Sequence, residues 1–497
     1  MANIEYISTR GNDKAIGAAE TIILGIAADG GLFVPRCFPA PITDLKRLVN
    51  LSYQDLAYEV MQLFLTDFTE TELRSCITNA YDDKFTTPTI APLTNKAGVH
   101  FLELYHGPTL AFKDMALTIL PYLLKTAAKK LNQDAEIVIL TATSGDTGKA
   151  ALEGFAGVAG TKIIVFFPEH GVSEIQKRQM ITQTGANTHV IGIEGNFDDA
   201  QSGVKAIFTD PELIRKLAAA NKMFSSANSI NIGRLIPQVV YYFYAYTQLC
   251  RSGAISCGDQ VNFAVPTGNF GNILAGYYAQ QIGLPIKKLI CASNDNKVLY
   301  DFFNTGTYDR NREFVTTISP SMDILISSNL ERLLFDICGQ DGNKTRTLME
   351  QLQKAGKYSI TTEMATKLHS FYGGFTSEAD TYRTIKDVFE KTHYLLDTHT
   401  AVAYAVSQAY REETKDTTPM VVVSTASPYK FTRAVMTALD KKYADSDEYQ
   451  LIAEMADLLQ EEPPLAIRDL DKRPILHRTV CQKKEMKPLL ERLLLNS

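Results

Sequence analysis

The chain has 497 residues, 45% of them apolar and 21% charged, with a formal net charge of −6. That length exceeds one compact domain, and the acidic balance excludes a general nucleic-acid or anionic-membrane binder. The seven cysteines are scattered, odd in number and never spaced Cys-x-x-Cys, which argues against a disulfide framework or zinc site and for a reducing, cytoplasmic setting.

No apolar run approaches the ~18 residues of a membrane span, and the first residues lack the character of a signal or transit peptide. Residues 1–95 read as an N-terminal module. A short strand is expected at 6–9 and a helix at 14–28, with Ile16, Ala19, Ile23 and Ile26 on one face. Asp29-Gly30-Gly31 ends that helix and feeds a strand at 32–34, stopped by Pro35. Further helices are expected around 53–65 and 71–81.

The remainder, 96–497, alternates strand, loop and helix. Strands are expected at 99–104, 136–141, 162–167, 189–193, 261–265, 288–292 and 420–424. Helices are expected at 149–159, 173–184, 197–207 and 273–282. This pattern predicts an α/β fold with mostly parallel sheet in two lobes, the smaller spanning about 142–205. Such sheets bind ligands beyond the carboxyl ends of their strands. The polar stretch at about 340–395 reads as a helical insertion. The tail, with Arg468, Lys472, Arg473, Lys483, Lys484 and Lys487 among leucines, reads as a solvated helix face.

Three loops carry chemistry. In His106-Gly-Pro-Thr-Leu-Ala-Phe-Lys-Asp114, Lys113 lies at a strand-to-helix junction between Phe112 and Met115. A desolvated lysine has a lowered pKa, and a partly neutral amine can form a Schiff base with an aldehyde. The alternative is a packed stem with a snorkelling head. In Gly268-Asn269-Phe270-Gly271-Asn272, two glycines before a helix let backbone amides converge into a phosphate cradle, or simply form a capped turn. Thr143-Ser-Gly-Asp-Thr-Gly148 offers hydroxyls and amides for a carboxylate. Its Gly148-Lys149 ending fails as a nucleotide-binding loop, because Thr143 replaces the first glycine and Ala150 follows the lysine. Ser424-Thr-Ala-Ser-Pro428 sets hydroxyls at a strand end, where capping the next helix is the simpler role. His106 and His399 read as satisfied loop or core histidines, and no metal-spaced cluster stands out. A lysine Schiff base beside a separate phosphate site is what pyridoxal phosphate requires.

Taken with Ser8-Thr-Arg10, Ala28-Asp-Gly-Gly-Leu-Phe-Val-Pro35, Ser226-Ala-Asn-Ser-Ile-Asn-Ile-Gly-Arg234 and His399-Thr-Ala-Val-Ala403, these motifs resemble the threonine synthase family. That family belongs to fold type II of the pyridoxal-phosphate enzymes, the tryptophan synthase β-like group. The long N-terminal module resembles its longer fungal and bacterial branch. The resemblance implies that Lys113 carries pyridoxal 5'-phosphate and serves as general base. It implies that Gly268, Asn269, Phe270, Gly271 and Asn272 hold the cofactor phosphate and that Thr425 meets the pyridine nitrogen. Asn272 stands where Asp is frequent, and Ser427 where His is frequent. The implied reaction turns O-phospho-L-homoserine and water into L-threonine and phosphate. Ser144 and Thr147 are candidates for the substrate carboxylate. Lys149, Lys177, Arg178 and, for its bidentate geometry, Arg234 are candidates for the substrate phosphate. The rivals are a serine/threonine dehydratase-like lyase and a non-catalytic ligand-binding relative. A monomer or small homo-oligomer is expected.

Overall fold

The structure is a computed structural model that describes residues 3–11, 14–143, 145–170 and 172–495, with the side chains of 197 and 198 left aside. Its strands are β1 (Tyr6–Ser8), β2 (Phe33–Pro35), β3 (Leu93–Lys96), β4 (Val99–Glu103), β5 (Glu136–Ala142), β6 (Thr161–Pro168), β7 (Thr188–Glu194) and β8 (Lys222–Ser225). They continue as β9 (Val261–Pro266), β10 (Ile286–Ser293), β11 (Thr307–Asp309), β12 (Lys357–Ser359), β13 (Phe371–Phe375), β14 (Met420–Ser424) and β15 (Thr479–Gln482). Two sheets dominate. One has the order β13-β10-β9-β14-β4-β3 and is parallel except for the β3–β4 pair. The other, β15-β7-β6-β5-β8, is parallel throughout. This is the expected α/β fold, and the strands anticipated by β-branched runs fall within about two residues of those observed.

The departures have local causes. The helix expected at 14–28 shrinks to Ala18–Leu24, because Ile16 exchanges backbone hydrogen bonds with Tyr6 (2.8 and 3.0 Å) and Gly25 stops it at φ 70°. The apolar run after Lys113 breaks into two helices, Asp114–Leu117 and Leu120–Lys130, the second with Pro121 in its first turn. Residues 340–395, expected to be helical, also supply β12 and β13, and β13 is the edge strand beside β10. Tyr372-Gly373-Gly374 hides that strand, since glycine carries no strand signal. The tail is not a free face. Its strand β15 extends the second sheet, and the helix Met486–Leu495 buries Met486, Leu490 and Leu494 against that sheet's helices.

The helix Ile232–Arg251 is buried along nearly its whole length and joins one apolar cluster with residues of the first 95 positions, such as Ile22, Leu56 and Val60. An all-round apolar helix is stable only when covered on every side. Close approach between the two sheets' helices is fixed at Gly154, where a Cβ would lie 2.1 Å from the Leu117 carbonyl. The loops after β4 and β14 meet those after β5 and β6 at Asp146, and the loop after β9 packs on the segment carrying Ser321. Among the described residues no helix is long and apolar enough to cross a membrane.

Candidate active site

Lys113 reaches the cleft because its loop is pinned on two sides. Residues 110–112 pair with 425–427: Phe112 N–H donates to the Thr425 carbonyl (2.8 Å) and Ser427 N–H to the Leu110 carbonyl (3.0 Å). Behind the loop, the buried Asp114 carboxylate accepts from Thr109 N–H (2.8 Å) and Thr109 Oγ1 (2.6 Å). Gly107 is required here, since a Cβ would meet Asp114 at 2.6 Å.

The Lys113 ammonium donates to Asp146 Oδ2 and to Ser321 Oγ, each at 3.3 Å, and Ser321 Oγ donates to the same Asp146 oxygen at 3.0 Å. The other oxygen, Oδ1, accepts from Gln176 Nε2 (2.9 Å) and pairs with Lys430 Nζ (3.3 Å). Lys430, with only 2% of its side chain exposed, also donates to the Thr109 carbonyl at 2.9 Å. Burial lowers the Lys113 pKa, the charges of Lys430 and Arg234 push the same way, and Asp146 opposes them. For Asp146, burial would raise the pKa, but the charges of Lys430 and then Lys113 outweigh it and hold the carboxyl far below the usual range. His399 is satisfied as expected: Nδ1 donates to Asp397 (3.0 Å) and Nε2 accepts from Ser321 N–H (3.1 Å). His106 is paired with Glu103 at 2.8 Å.

The loop after β9 has different chemistry. Phe270 is left-handed (φ 63°) and caps the helix Gly271–Gln281. Among the described residues, the amides of residues 268–273 donate to no acceptor. A Cβ at Gly268 would lie 2.3 Å from the Ser321 carbonyl, so the loop also walls the cleft. Asn272 Oδ1 accepts from Tyr241 (2.6 Å) and Tyr242 (2.9 Å), while its buried Nδ2 has no partner. Thr425 is buried, and its hydroxyl makes no hydrogen bond among the described residues. Ser427 Oγ, by contrast, caps the turn Pro428–Phe431 by accepting from Tyr429 N–H. A largely buried amine, six unpaired amides and an unpaired strand-end hydroxyl form a donor set that fits an aldehyde cofactor carrying a phosphate and a ring nitrogen.

The remaining candidates separate. Thr147 is half-buried, and neither its hydroxyl nor the Asp146 and Thr147 amides have acceptors among the described residues. Ser144 lies outside the described residues. Arg234 is buried, donates Nη1 to the Ala227 carbonyl at 2.6 Å and leaves Nε unpaired, and burial lowers its pKa to about 10. Lys149 is committed to Glu153 (2.7 Å) and Gln183. Lys177 pairs with Glu169, and Arg178 holds the carbonyls of Leu470, Asp471 and Arg473. Sequence reasoning missed Asp146, Gln176, Ser321 and Lys430. Asp146 stood inside a loop already singled out. Lys430 was visible as a charge in an otherwise apolar turn after a buried strand. Ser321 had no local signal. Its position depends on Asn294 and Asn296, which donate to Asp323 at 2.7 and 2.9 Å and anchor the segment carrying it.

Residues 85–426 match the family described as pyridoxal-phosphate dependent enzyme. Residues 5–81 match threonine synthase N terminus, and 400–473 match threonine synthase, C-terminal. These define the class: a pyridoxal-phosphate-dependent enzyme of fold type II. The chain is 39% identical to threonine synthase of Pseudomonas aeruginosa, over 92% of this chain and 94% of that one. A crystal structure of pyridoxal-phosphate-bound threonine synthase from Brucella melitensis superposes with a TM-score of 0.86 at 38% identity, covering 99% of each chain. The threonine synthase-like 1 protein of Homo sapiens is 41% identical over 85% of this chain, which spans 58% of that relative's length. The chain belongs to the threonine synthase family.

Proposed function

We propose that this chain converts O-phospho-L-homoserine and water to L-threonine and phosphate, as a carbon–oxygen lyase of the cytoplasm. When bound, pyridoxal 5'-phosphate supplies an electron sink for charge developing at the substrate's α-carbon. Lys113 would hold the cofactor through its amine, the amides of 268–273 its phosphate, and Thr425 its ring nitrogen. The Lys113 amine, which burial biases toward its neutral form, is the base for the α-proton. The unpaired amides of Asp146 and Thr147 open the helix Asp146–Phe155 and, with the Thr147 and Ser144 hydroxyls, would take the substrate carboxylate.

The observation that carries this reading is a count of buried charge. Lys113 and Lys430 share one low-pKa carboxylate, Asp146, while Arg234 acts on the Lys113 charge and has no carboxylate partner among the described residues, and the cofactor's phosphate would have a cradle that uses no cation. Lys430 and Arg234 are buried cations with one contacting carboxylate between them, which calls for a second anion. Arg234 and Lys430 are therefore our residues for the substrate phosphate, in preference to Lys149. The test is to supply the holoenzyme with O-phospho-L-homoserine or with threonine. Equimolar phosphate and threonine from the first supports the reading. Keto-acid release from threonine, without phosphate release from the first, overturns it in favour of a dehydratase.

A further inference from the structure

The segment Ser327-Ser328-Asn329 takes no part in the chemistry above, yet its polar atoms converge on the 268–273 loop from behind. Ser327 Oγ donates to the Gly268 carbonyl at 2.6 Å. Asn329 donates to the Asn269 carbonyl twice, through N–H at 3.1 Å and Nδ2 at 2.9 Å. The Phe270 carbonyl accepts from Leu274 N–H at 3.0 Å. Three successive carbonyls are thus occupied, while the amides between them have no acceptor among the described residues. In a planar peptide the C=O and the next N–H point in opposite directions. Holding the carbonyls of 268 and 269 therefore turns the amides of 269 and 270 the other way.

The clamp is itself braced. Arg332, 2% exposed, donates to Asn329 Oδ1, to the Phe33 carbonyl in β2 (2.9 Å) and to the Ile230 carbonyl (2.5 Å). Among the described residues it has no carboxylate within ion-pair distance, so the cost of burying it is offset by these neutral acceptors and by the more distant charge of Glu331. β2 belongs to the first 95 residues, and Ile230 precedes the helix that carries Arg234.

We propose that Ser327 and Asn329, braced by Arg332, are positioning residues that build the cofactor's phosphate cradle by holding its carbonyls away from the ligand. Arg332 makes the cradle depend on strand β2 of the N-terminal region. This rests on the reading that the 268–272 loop holds the cofactor phosphate, so the test separates the two.

Apoprotein is titrated with pyridoxal 5'-phosphate and with pyridoxal, which lacks the phosphate, by equilibrium dialysis and by visible absorbance. The quantity read is the ratio of the two affinities. Asn329→Asp keeps an acceptor for Arg332 and the backbone N–H to Asn269, but it replaces the Nδ2 donor with an oxygen that repels the Asn269 carbonyl, and it should shrink that ratio by about tenfold or more. Ser327→Ala removes one bond and should shrink it by a smaller factor, about threefold to tenfold. It remains decisive if N329D does not fold. Gly268→Ala serves as the reference for the loop. If G268A shrinks the ratio while S327A and N329D weaken both ligands equally, or neither, the clamp is refuted. If G268A leaves the ratio at the wild-type value, the loop reading falls and the clamp falls with it.

Discussion

The two regions of the cleft that we assign to anions are built on opposite principles. Around residues 268–273 the chain presents backbone amides, and the charges on that side are buried behind the loop, as with Arg332. Around Asp146 it presents side-chain charges: two lysines sharing one carboxylate, with Ser321 and Gln176 completing its hydrogen bonds, and the buried Arg234 acting on the same lysine field without a carboxylate partner among the described residues. An amide cradle is fixed by its own hydrogen bonds and needs no rearrangement, which suits a cofactor phosphate that stays. A cation cluster with a resident counter-ion suits a substrate phosphate that arrives and leaves, since Asp146 would neutralise it between turnovers. Substitutions that touch one region should therefore leave the other's ligand largely unaffected.

The largest effect is expected where the regions meet. Lys113→Ala removes both the proposed covalent anchor and the proposed base. Turnover should fall by on the order of 10³–10⁴ or more, and the visible absorbance of the bound cofactor should disappear. Retention of either would break the comparison at its centre. Next comes Asp146→Asn, which leaves two buried lysines without their shared carboxylate. Removing one partner of a buried ion pair costs on the order of 3–5 kcal/mol. Denaturant unfolding should show that loss, and millimolar inorganic phosphate should restore more stability to D146N than to the wild type. Equal responses to phosphate would mean that the cluster is not an anion site. Arg234→Met should then raise the KM for O-phospho-L-homoserine by about 10- to 100-fold, the value of one or two charge-assisted hydrogen bonds. Cofactor affinity should stay unchanged, and a matching loss of it would merge the two regions.

The difference between the regions also explains what could be read from the sequence. The cradle and Lys113 each lie in a few consecutive residues, where a strand, a glycine-rich turn and a helix start leave a pattern. The charged cluster is assembled from loops after β4, β5, β6 and β14 and from a segment near 321, so no window contains it. Within a loop the sequence still misleads when a partner lies one helical turn away. Lys149 looked available for phosphate, but Glu153 sits at i+4 and takes its ammonium at 2.7 Å. The fold followed the same rule. Strands rich in Val and Ile were legible, whereas β13 was masked by Gly373-Gly374, and β15 depends on a pairing with β7 almost 290 residues upstream.

The smallest change at neutral pH is expected at Asp114, which supports the Lys113 loop from behind without facing either anion site. Burial pushes its carboxyl up to about 6, although two hydrogen bonds from Thr109 pull the other way. A folded-state value above the unfolded one means that the folded protein binds the extra proton. The associated stabilisation is complete below the unfolded value near 3.8 and is lost as pH rises through 6. Asp114→Asn cannot titrate, yet its side-chain oxygen still accepts from Thr109. Wild-type stability relative to D114N should therefore decline by about 1.4 kcal/mol per pH unit between those values, and it should be flat above them. Equilibrium unfolding from pH 3.5 to 7.5 measures this directly. A flat difference across the whole range would show that Thr109, rather than burial, governs this carboxyl, and that the loop under Lys113 is held by an ionised group.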